Sequence, residues 1–322
     1  MPYKIVVKAA GGVDQLARIE MDMPVPAKGE ILIRQTAVGL NFIDIYQRTG
    51  LYPVGPNFVP GGEAAGVIEA VGEGVDLQIG TRVAYVIGGG GAYASHRAIP
   101  ASAAVVLPEA MSDEVAAAVM LKGLTVNYLI TQSYPAARGE TVLFHAAAGG
   151  VGLIAGQWLK ALGVTTIGTA GGAEKCALAK AHGYDHVIDY RSEDFVAKVM
   201  EITQGAGVPA VYDSVGADTV MRSLDVLQRF GTLVSFGQSS GPSKEFTIND
   251  LTRGSVRVTR PTLFHHTARE GWLAQASSAM FDLIASGAIK VTLSKPYALE
   301  AVGDAHVALE GRATMGSTVL IP

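Results

Sequence analysis

The sequence predicts an α/β chain: a doubly wound parallel sheet joined to a second, β-rich barrel domain. Three observations carry this. Residues 141–236 alternate short apolar runs with helical stretches, a spacing that implies right-handed βαβ units. Residues 1–110 read instead as short β-branched runs cut by Gly, Pro and Asp, the pattern of a barrel or sandwich. And 322 residues exceed what one hydrophobic core ordinarily fills.

In chain order, the barrel strands are expected near 4–7, 30–35, 65–71, 82–86 and 105–107. A helix then begins at 112–130, with Ser112 as N-cap and acidic residues in its first turn. Parallel strands follow at 141–146, 165–169, 186–190, 209–213 and 231–236, with helices at 151–162, 173–182, 192–203 and 217–228. These strands are continuous apolar runs, as expected when helices cover both faces of a sheet. After residue 262 the alternation stops. A helix near 267–286, another near 300–310 and a last strand at 317–321 are too little for a domain of their own, so the tail is expected to return to the barrel.

Composition narrows the function. Hydrophobic residues make up 49 % and charged residues 17 %, which argues for a large core. Net charge is −4 and no block of Lys and Arg occurs, so a nucleic-acid partner is not expected. Cys176 is the one cysteine, which excludes intrachain disulfides and multi-cysteine zinc sites; a buried, inert thiol is the expected role. No signal peptide and no run of about 18 apolar residues is evident, so a cytoplasmic protein without membrane partners is expected.

The stretch HAAAGGVG at 145–152 asks for chemistry. It fits a dinucleotide fingerprint as Ala147-x-Gly149-x-x-Gly152, after an apolar strand and before an amphipathic helix. Side chains there would keep a pyrophosphate from the backbone N–H groups and the helix dipole. The backbone of Ala148, Gly149, Gly150 and Val151 is therefore the expected cradle. No Gly-Lys-Ser/Thr follows, which excludes a Walker-type loop. At the end of the second strand of the βαβ unit, where an enzyme for NAD places an acid, the sequence reads GTAGGAEK (168–175). Lys175, and Tyr190 after the third strand, are placed to meet a 2′-phosphate, which favours NADPH; Glu174 lies one turn from offering a carboxylate instead.

At this point the chain resembles a family, the zinc-free, ζ-crystallin-like quinone oxidoreductases of the medium-chain dehydrogenase/reductase superfamily. The resemblance runs through NFIDIYQRTGLYP (41–53), PGGEAAG (60–66), KGLT (122–125), AAAGGVG (146–152), VYDSVG (211–216) and FGQSSG (236–241). It implies a discontinuous GroES-like catalytic domain at 1–122 and 263–322 and a Rossmann domain at 123–262, with the cofactor in the cleft between them. Zinc-dependent relatives carry Gly-His-Glu where this chain has Gly61-Gly62-Glu63, and a cysteine near Asn41. Catalytic zinc needs three such ligands, so no metal is expected. The adjacent pair His265-His266 has no thiolate or carboxylate at ligand spacing.

The resemblance also implies the site. Asn41, Tyr46 and Thr125 would line the nicotinamide end, and Tyr52 would approach the substrate; Tyr46 or Tyr52 is placed to donate to a developing oxyanion. Asp44 and Arg48 are expected to hold this segment rather than react. Gly171, Lys175 and Tyr190 match the family's 2′-phosphate pocket, beside which Asp189 replaces a frequent asparagine and adds negative charge. Ser214, Phe236, Gly237, Phe264, Gly316 and Ser317 would contact nicotinamide or diphosphate.

The implied activity is NADPH-dependent quinone reduction by hydride or stepwise electron transfer. A quinone is already electron-poor and needs little Lewis-acid help, so placing nicotinamide against it supplies much of the catalysis. An NADPH-dependent enoyl or 2-alkenal reductase is the alternative on the same fold. A non-catalytic NADPH-binding protein, crystallin-like or RNA-binding, is a third. The family also suggests a homodimer, the commonest oligomer.

Overall fold

A computed structural model describes residues 1–322. The chain forms two compact units, one of Met1–Lys122, Gly271–Phe281 and Val291–Pro322, the other of Gly123–Glu270 and Asp282–Lys290.

The first unit opens with the antiparallel pair β1 (Tyr3–Val7) and β2 (Leu16–Glu20). Its main sheet is built on β3 (Glu30–Gly39), which pairs with β4 (Glu63–Val71); β4 continues to β5 (Arg82–Val86). The first half of β3 also pairs with β6 (His96–Pro100), while β7 (Ala104–Val106) extends the sheet from β5. Two register shifts in the β3–β4 ladder bend it around a core that includes Ile31, Ile33, Ile68, Tyr85 and Ile99, all buried. Between β3 and β4 lies helix α1 (Phe42–Thr49), N-capped by Asn41 and ended by Gly50 in the left-handed region. Neither β2 nor β6 is marked by periodicity in the sequence, and the amphipathic period of α1 runs for only eight residues. β2 is largely exposed, and α1 is short and rich in aromatic and β-branched residues, which favour strands.

Helix α2 (Asp113–Tyr128) continues into a π-helical turn at Leu129–Ser133. The 21-residue run Asp113–Ser133 is long and apolar enough to cross a membrane, yet 78 % of its apolar 18-residue stretch is buried in the fold, which marks a core helix. It is apolar on every side because protein surrounds it.

The second unit is a six-stranded parallel sheet. In chain order its members are β8 (Thr141–Phe144), α3 (Gly150–Leu162), β9 (Thr165–Ala170), α4 (Ala173–Ala181), β10 (His186–Asp189), α5 (Phe195–Ile202), β11 (Val208–Asp213), α6 (Val220–Asp225), β12 (Leu227–Ser235) and β13 (Arg257–Thr259). The strand order β10-β9-β8-β11-β12-β13 reverses direction between β8 and β11, where doubly wound sheets bind ligands at the carboxyl ends of the strands. Leu143, Ile167, Ile188, Val211 and Leu233 form one row of its core. The short edge strand β13 escaped the sequence pattern because its three residues carry two polar side chains, Arg257 and Thr259.

The chain then passes α7 (Leu263–Thr267) and α8 (Trp272–Ala285), which starts after Gly271, five residues later than its sequence pattern suggests. The last elements, β14 (Tyr297–Ala298), α9 (Val302–Glu310) and β15 (Val319–Ile321), complete the first unit: β15 pairs with the end of β3.

Candidate functional site: a nucleotide cradle and an aromatic helix

The turn from β8 to α3 carries the glycine cluster. Ala146 adopts φ +55°, and Gly149 caps α3 in extended conformation with no side-chain hydrogen bond. The free first-turn N–H groups of α3 therefore face outward at the end of the strand. Gly152 is required by close packing: a Cβ there would lie 2.4 Å from the Ala146 oxygen and 2.6 Å from that of Ala147. Ala148, Gly149, Gly150 and Val151 thus make a corner of outward-facing backbone N–H groups, an arrangement suited to an anion such as a pyrophosphate.

The ends of β9 and β10 bring a second group of expected residues together. Gly171 follows β9, and a Cβ on it would lie 2.5 Å from the Tyr190 hydroxyl and 3.1 Å from Arg191 Nε. The Tyr190 N–H donates to the Ala170 oxygen at 3.1 Å, which docks the end of β10 beside that of β9. Lys175 stands in the first turn of α4. Arg191 was not singled out by sequence, because nothing in the spacing shows that its guanidinium lies against both Gly171 and Gly172; its position next to Tyr190 was the available signal.

Asp189 keeps the negative charge the sequence expects and ties it to two backbone donors. Its Oδ1 accepts the N–H groups of Gly172 at 2.9 Å and Arg191 at 3.0 Å, and these bonds hold its carboxyl below the usual range. The carboxylate clips the two loops together, with its charge answered by backbone donors. Glu174 is exposed.

On the other side of the sheet's reversal, Ser214 follows β11 and Phe236-Gly237 follow β12. The Phe236 N–H donates to the Asp213 oxygen at 2.8 Å and the Ser239 N–H to that of Ser214 at 3.1 Å, so the two turns lie side by side. Arg260 donates to the Gly237 oxygen at 2.9 Å. Thr125 is buried in α2 one turn before Tyr128, whose ring stacks on His266 at 4.4 Å. Phe264 lies in α7 beside His265 and His266. Tyr128 and Arg260 had no motif to reveal them.

In the first unit, α1 and the turn after it gather three of the expected residues. Tyr46 and Tyr52 meet edge to face at 5.2 Å, and the Tyr52 N–H donates to the Tyr46 oxygen at 2.9 Å. Asn41 is held from two sides: its main-chain N–H donates to Asp44 Oδ2 at 2.9 Å and its Nδ2 to Glu63 Oε1 at 2.8 Å. Glu63 is fully buried and also accepts Lys122 Nζ at 3.1 Å and the Leu121 N–H at 2.6 Å. As expected, Asp44 and Arg48 serve as anchors, Arg48 through an ion pair with Glu310 at 2.6 Å. The Leu40 N–H donates to the Thr318 oxygen, which brings Gly316 and Ser317 alongside the start of α1. Gly316 has φ +70° and the Ser317 N–H donates to the Thr292 oxygen at 2.9 Å.

The positions where zinc-dependent relatives place ligands therefore hold Asn41, Gly62 and a Glu63 carboxylate already paired with Lys122. No group of three or more His, Cys, Asp or Glu side chains is arranged to hold a metal. These residues do not fit catalytic zinc.

A β-barrel unit combined with a nucleotide-binding sheet of this strand order is the architecture of the medium-chain dehydrogenases and reductases. Family models agree: an alcohol dehydrogenase GroES-like domain matches residues 27–109 and a zinc-binding dehydrogenase domain residues 150–278. The chain is 48 % identical to a quinone oxidoreductase of Salmonella typhimurium, with both chains covered in full. It superposes with TM-score 0.97 on the crystal structure of Escherichia coli quinone oxidoreductase complexed with NADPH, at 48 % identity over 99 % of this chain and all of that one. A 2-haloacrylate reductase of a Burkholderia species is 40 % identical over all of this chain and 99 % of its own. The chain belongs to the quinone oxidoreductase family of that superfamily.

Proposed function

We propose that this protein is an NADPH:quinone oxidoreductase that works without a metal. The observation that carries the reading is the full-length similarity, across both units, to a quinone oxidoreductase whose crystal structure holds NADPH. Bound NADPH supplies reducing equivalents, as a hydride or in single-electron steps. The chain's own residues bind and orient. The α3 N-terminus, from Ala148 to Val151, receives the pyrophosphate. Gly171, Lys175 and Tyr190, joined by Arg191, receive the 2′-phosphate through charge-assisted hydrogen bonds. Asn41, Tyr46, Thr125, Ser214, Phe236, Gly237, Phe264, Gly316 and Ser317 position the diphosphate and nicotinamide. Tyr46 and Tyr52 offer hydroxyls to the oxygen on which negative charge develops.

Metal independence rests on Asn41, Gly62 and the Glu63–Lys122 pair standing where ligands would be required. The protein is further proposed to be cytoplasmic and to dimerise through an edge of its six-stranded sheet, which ends in β10 and β13. The 2-haloacrylate reductase similarity favours a second reading, reduction of an activated alkene. The test is NADPH oxidation with 1,4-benzoquinone, 9,10-phenanthrenequinone and a 2-alkenal as acceptors. Turnover with the quinones alone supports quinone reduction; turnover with the alkenal alone moves the protein to the alkene reductases; tight NADPH binding without turnover leaves only the cofactor site.

A further inference from the structure

Asn41 is held by two buried carboxylates of different kinds. Glu63 is matched by the Lys122 ammonium. Asp44, fully buried, has no ion-pair partner and instead accepts three hydrogen bonds: from the Asn41 N–H, the Gly61 N–H at 3.2 Å and the Tyr93 hydroxyl at 3.0 Å. The Tyr93 oxygen lies equally close, 3.0 Å, to Nε2 of His306 on α9. His306 is fully buried and its Nδ1 has no partner; neither does Nε of the buried Arg48 one turn along α1.

The row from Asp44 through Tyr93 to His306 Nε2 can be hydrogen-bonded in two ways, with Nδ1 outside it in both. With Asp44 ionised, Tyr93 donates to Asp44 and His306 donates through Nε2–H to Tyr93. With Asp44 protonated, Asp44 donates to Tyr93, Tyr93 donates to Nε2, and His306 carries its proton on Nδ1. One proton converts the first into the second. It bonds to His306 Nδ1, the Nε2 proton passes to the Tyr93 oxygen, and the Tyr93 proton passes to Asp44 Oδ2. Charge changes only at Asp44.

We propose that Asp44, Tyr93 and His306 form a proton-storing positioning device, loaded through His306 Nδ1, that sets how firmly α1 holds Asn41. The charged form of Asp44 binds the Asn41 and Gly61 N–H groups by charge-assisted bonds; the neutral form binds them more weakly. Burial places the exchange in the neutral range: it raises the Asp44 carboxyl to about 7, opposed by the Asn41 and Tyr93 donors and by Lys122, and reinforced by Glu63. His306 is a conduit rather than a store, because burial, with the Arg48 charge beside it, brings its imidazolium down to about 3. The remaining charge on this face, Glu310, is paired with Arg48.

The effect on Asn41 rests on the reading that Asn41 serves the nicotinamide nucleotide, so two readouts separate the claims. The first is the His306 ring ¹⁵N shifts and the Asp44 carboxyl ¹³C shift of the wild-type protein between pH 5.5 and 8.5. A move from Nε2–H to Nδ1–H in step with Asp44 protonation is expected, and a single tautomer throughout, or an Asp44 midpoint in the ordinary carboxylate range, overturns the device. In Tyr93→Phe the Asp44 midpoint moves up, since a donor to its charged form is lost; an unmoved midpoint also overturns it. The second readout is the dissociation constants of NADPH and NADH over the same range. Both are expected to weaken roughly threefold on the acid side of the Asp44 midpoint, the shared change excluding titration of the 2′-phosphate. A tautomer switch with flat affinities overturns the positioning role. Binding of neither nucleotide at any pH overturns the cofactor reading and the positioning role together, and the ¹⁵N and ¹³C shifts then decide whether the proton store exists.

Discussion

At the scale of single residues, chemistry is decided by which neighbour answers a charge. Asp189 sits beside an anion pocket, where a free carboxylate would oppose a phosphate; the Gly172 and Arg191 N–H groups answer it instead. Arg191 lies against Gly171 and Gly172, and Lys175 stands in the first turn of α4. Lys175→Ala and Arg191→Ala should each raise the NADPH KM about tenfold, the loss of one hydrogen bond to a charged group, and leave the NADH KM within twofold. Steady-state kinetics with both nucleotides checks this. Asp44 and His306 make a matched pair of opposite sign. Asp44 in the folded chain holds a proton up to about 7, so its contribution to stability grows as pH falls from 7 toward 4, where the unfolded chain also protonates. His306 is protonated in the unfolded chain near 6.5 but in the folded chain only near 3, so its contribution is lost as pH falls through that window. The two offset each other between about pH 4 and 6.5. In Asp44→Asn the histidine loss is unmasked, and the melting temperature should fall more steeply between pH 7 and 5 than that of the wild type; parallel curves by calorimetry would refute the pairing.

At the scale of elements, close approach separates stability from binding. Gly152→Ala drives a methyl into two backbone oxygens that belong to the β8–α3 turn, so it should destabilise the fold by about 1–3 kcal/mol and weaken nucleotide binding, read by chemical denaturation and titration. Gly171→Ala meets only the Tyr190 hydroxyl and Arg191, and Tyr190 is 42 % exposed. That variant should lose NADPH affinity while keeping its stability. The β4–α2 junction gives the reverse case. Glu63→Gln leaves the buried Lys122 ammonium without its counter-charge, and a cost of about 3–5 kcal/mol is expected in denaturant unfolding, with part of it recovered by adding Lys122→Met.

The same elements show what the sequence makes legible. The alternation from β8 to β12 could be read because each strand is a continuous apolar run between helices, and the β8–α3 glycines because a strand and a helix flank them. α1 was recognised by its motif and not as a helix: it is amphipathic, but over eight residues rich in aromatic and β-branched side chains, and the capping by Asn41 and Asp44 that fixes it is not a periodicity. Arg191, Glu63, Lys122 and His306 were beyond the pattern for one reason. Each matters through a partner distant in sequence, as His306 does through Tyr93, 213 residues away.

For the whole molecule, labour is divided between two units. The sheet unit carries the proposed phosphate sites at the ends of β8, β9 and β10, and the barrel unit carries α1 with its aromatic pair, held by buried charge. The central claim is that this chain reduces quinones with NADPH and without a metal. The measurement that tests it most directly is kcat/KM for NADPH and for NADH with 1,4-benzoquinone, before and after exhaustive treatment with a metal chelator. The account predicts a strong preference for NADPH and a rate untouched by the chelator. Equal use of the two nucleotides, or activity that disappears on chelation and returns with zinc, would contradict it.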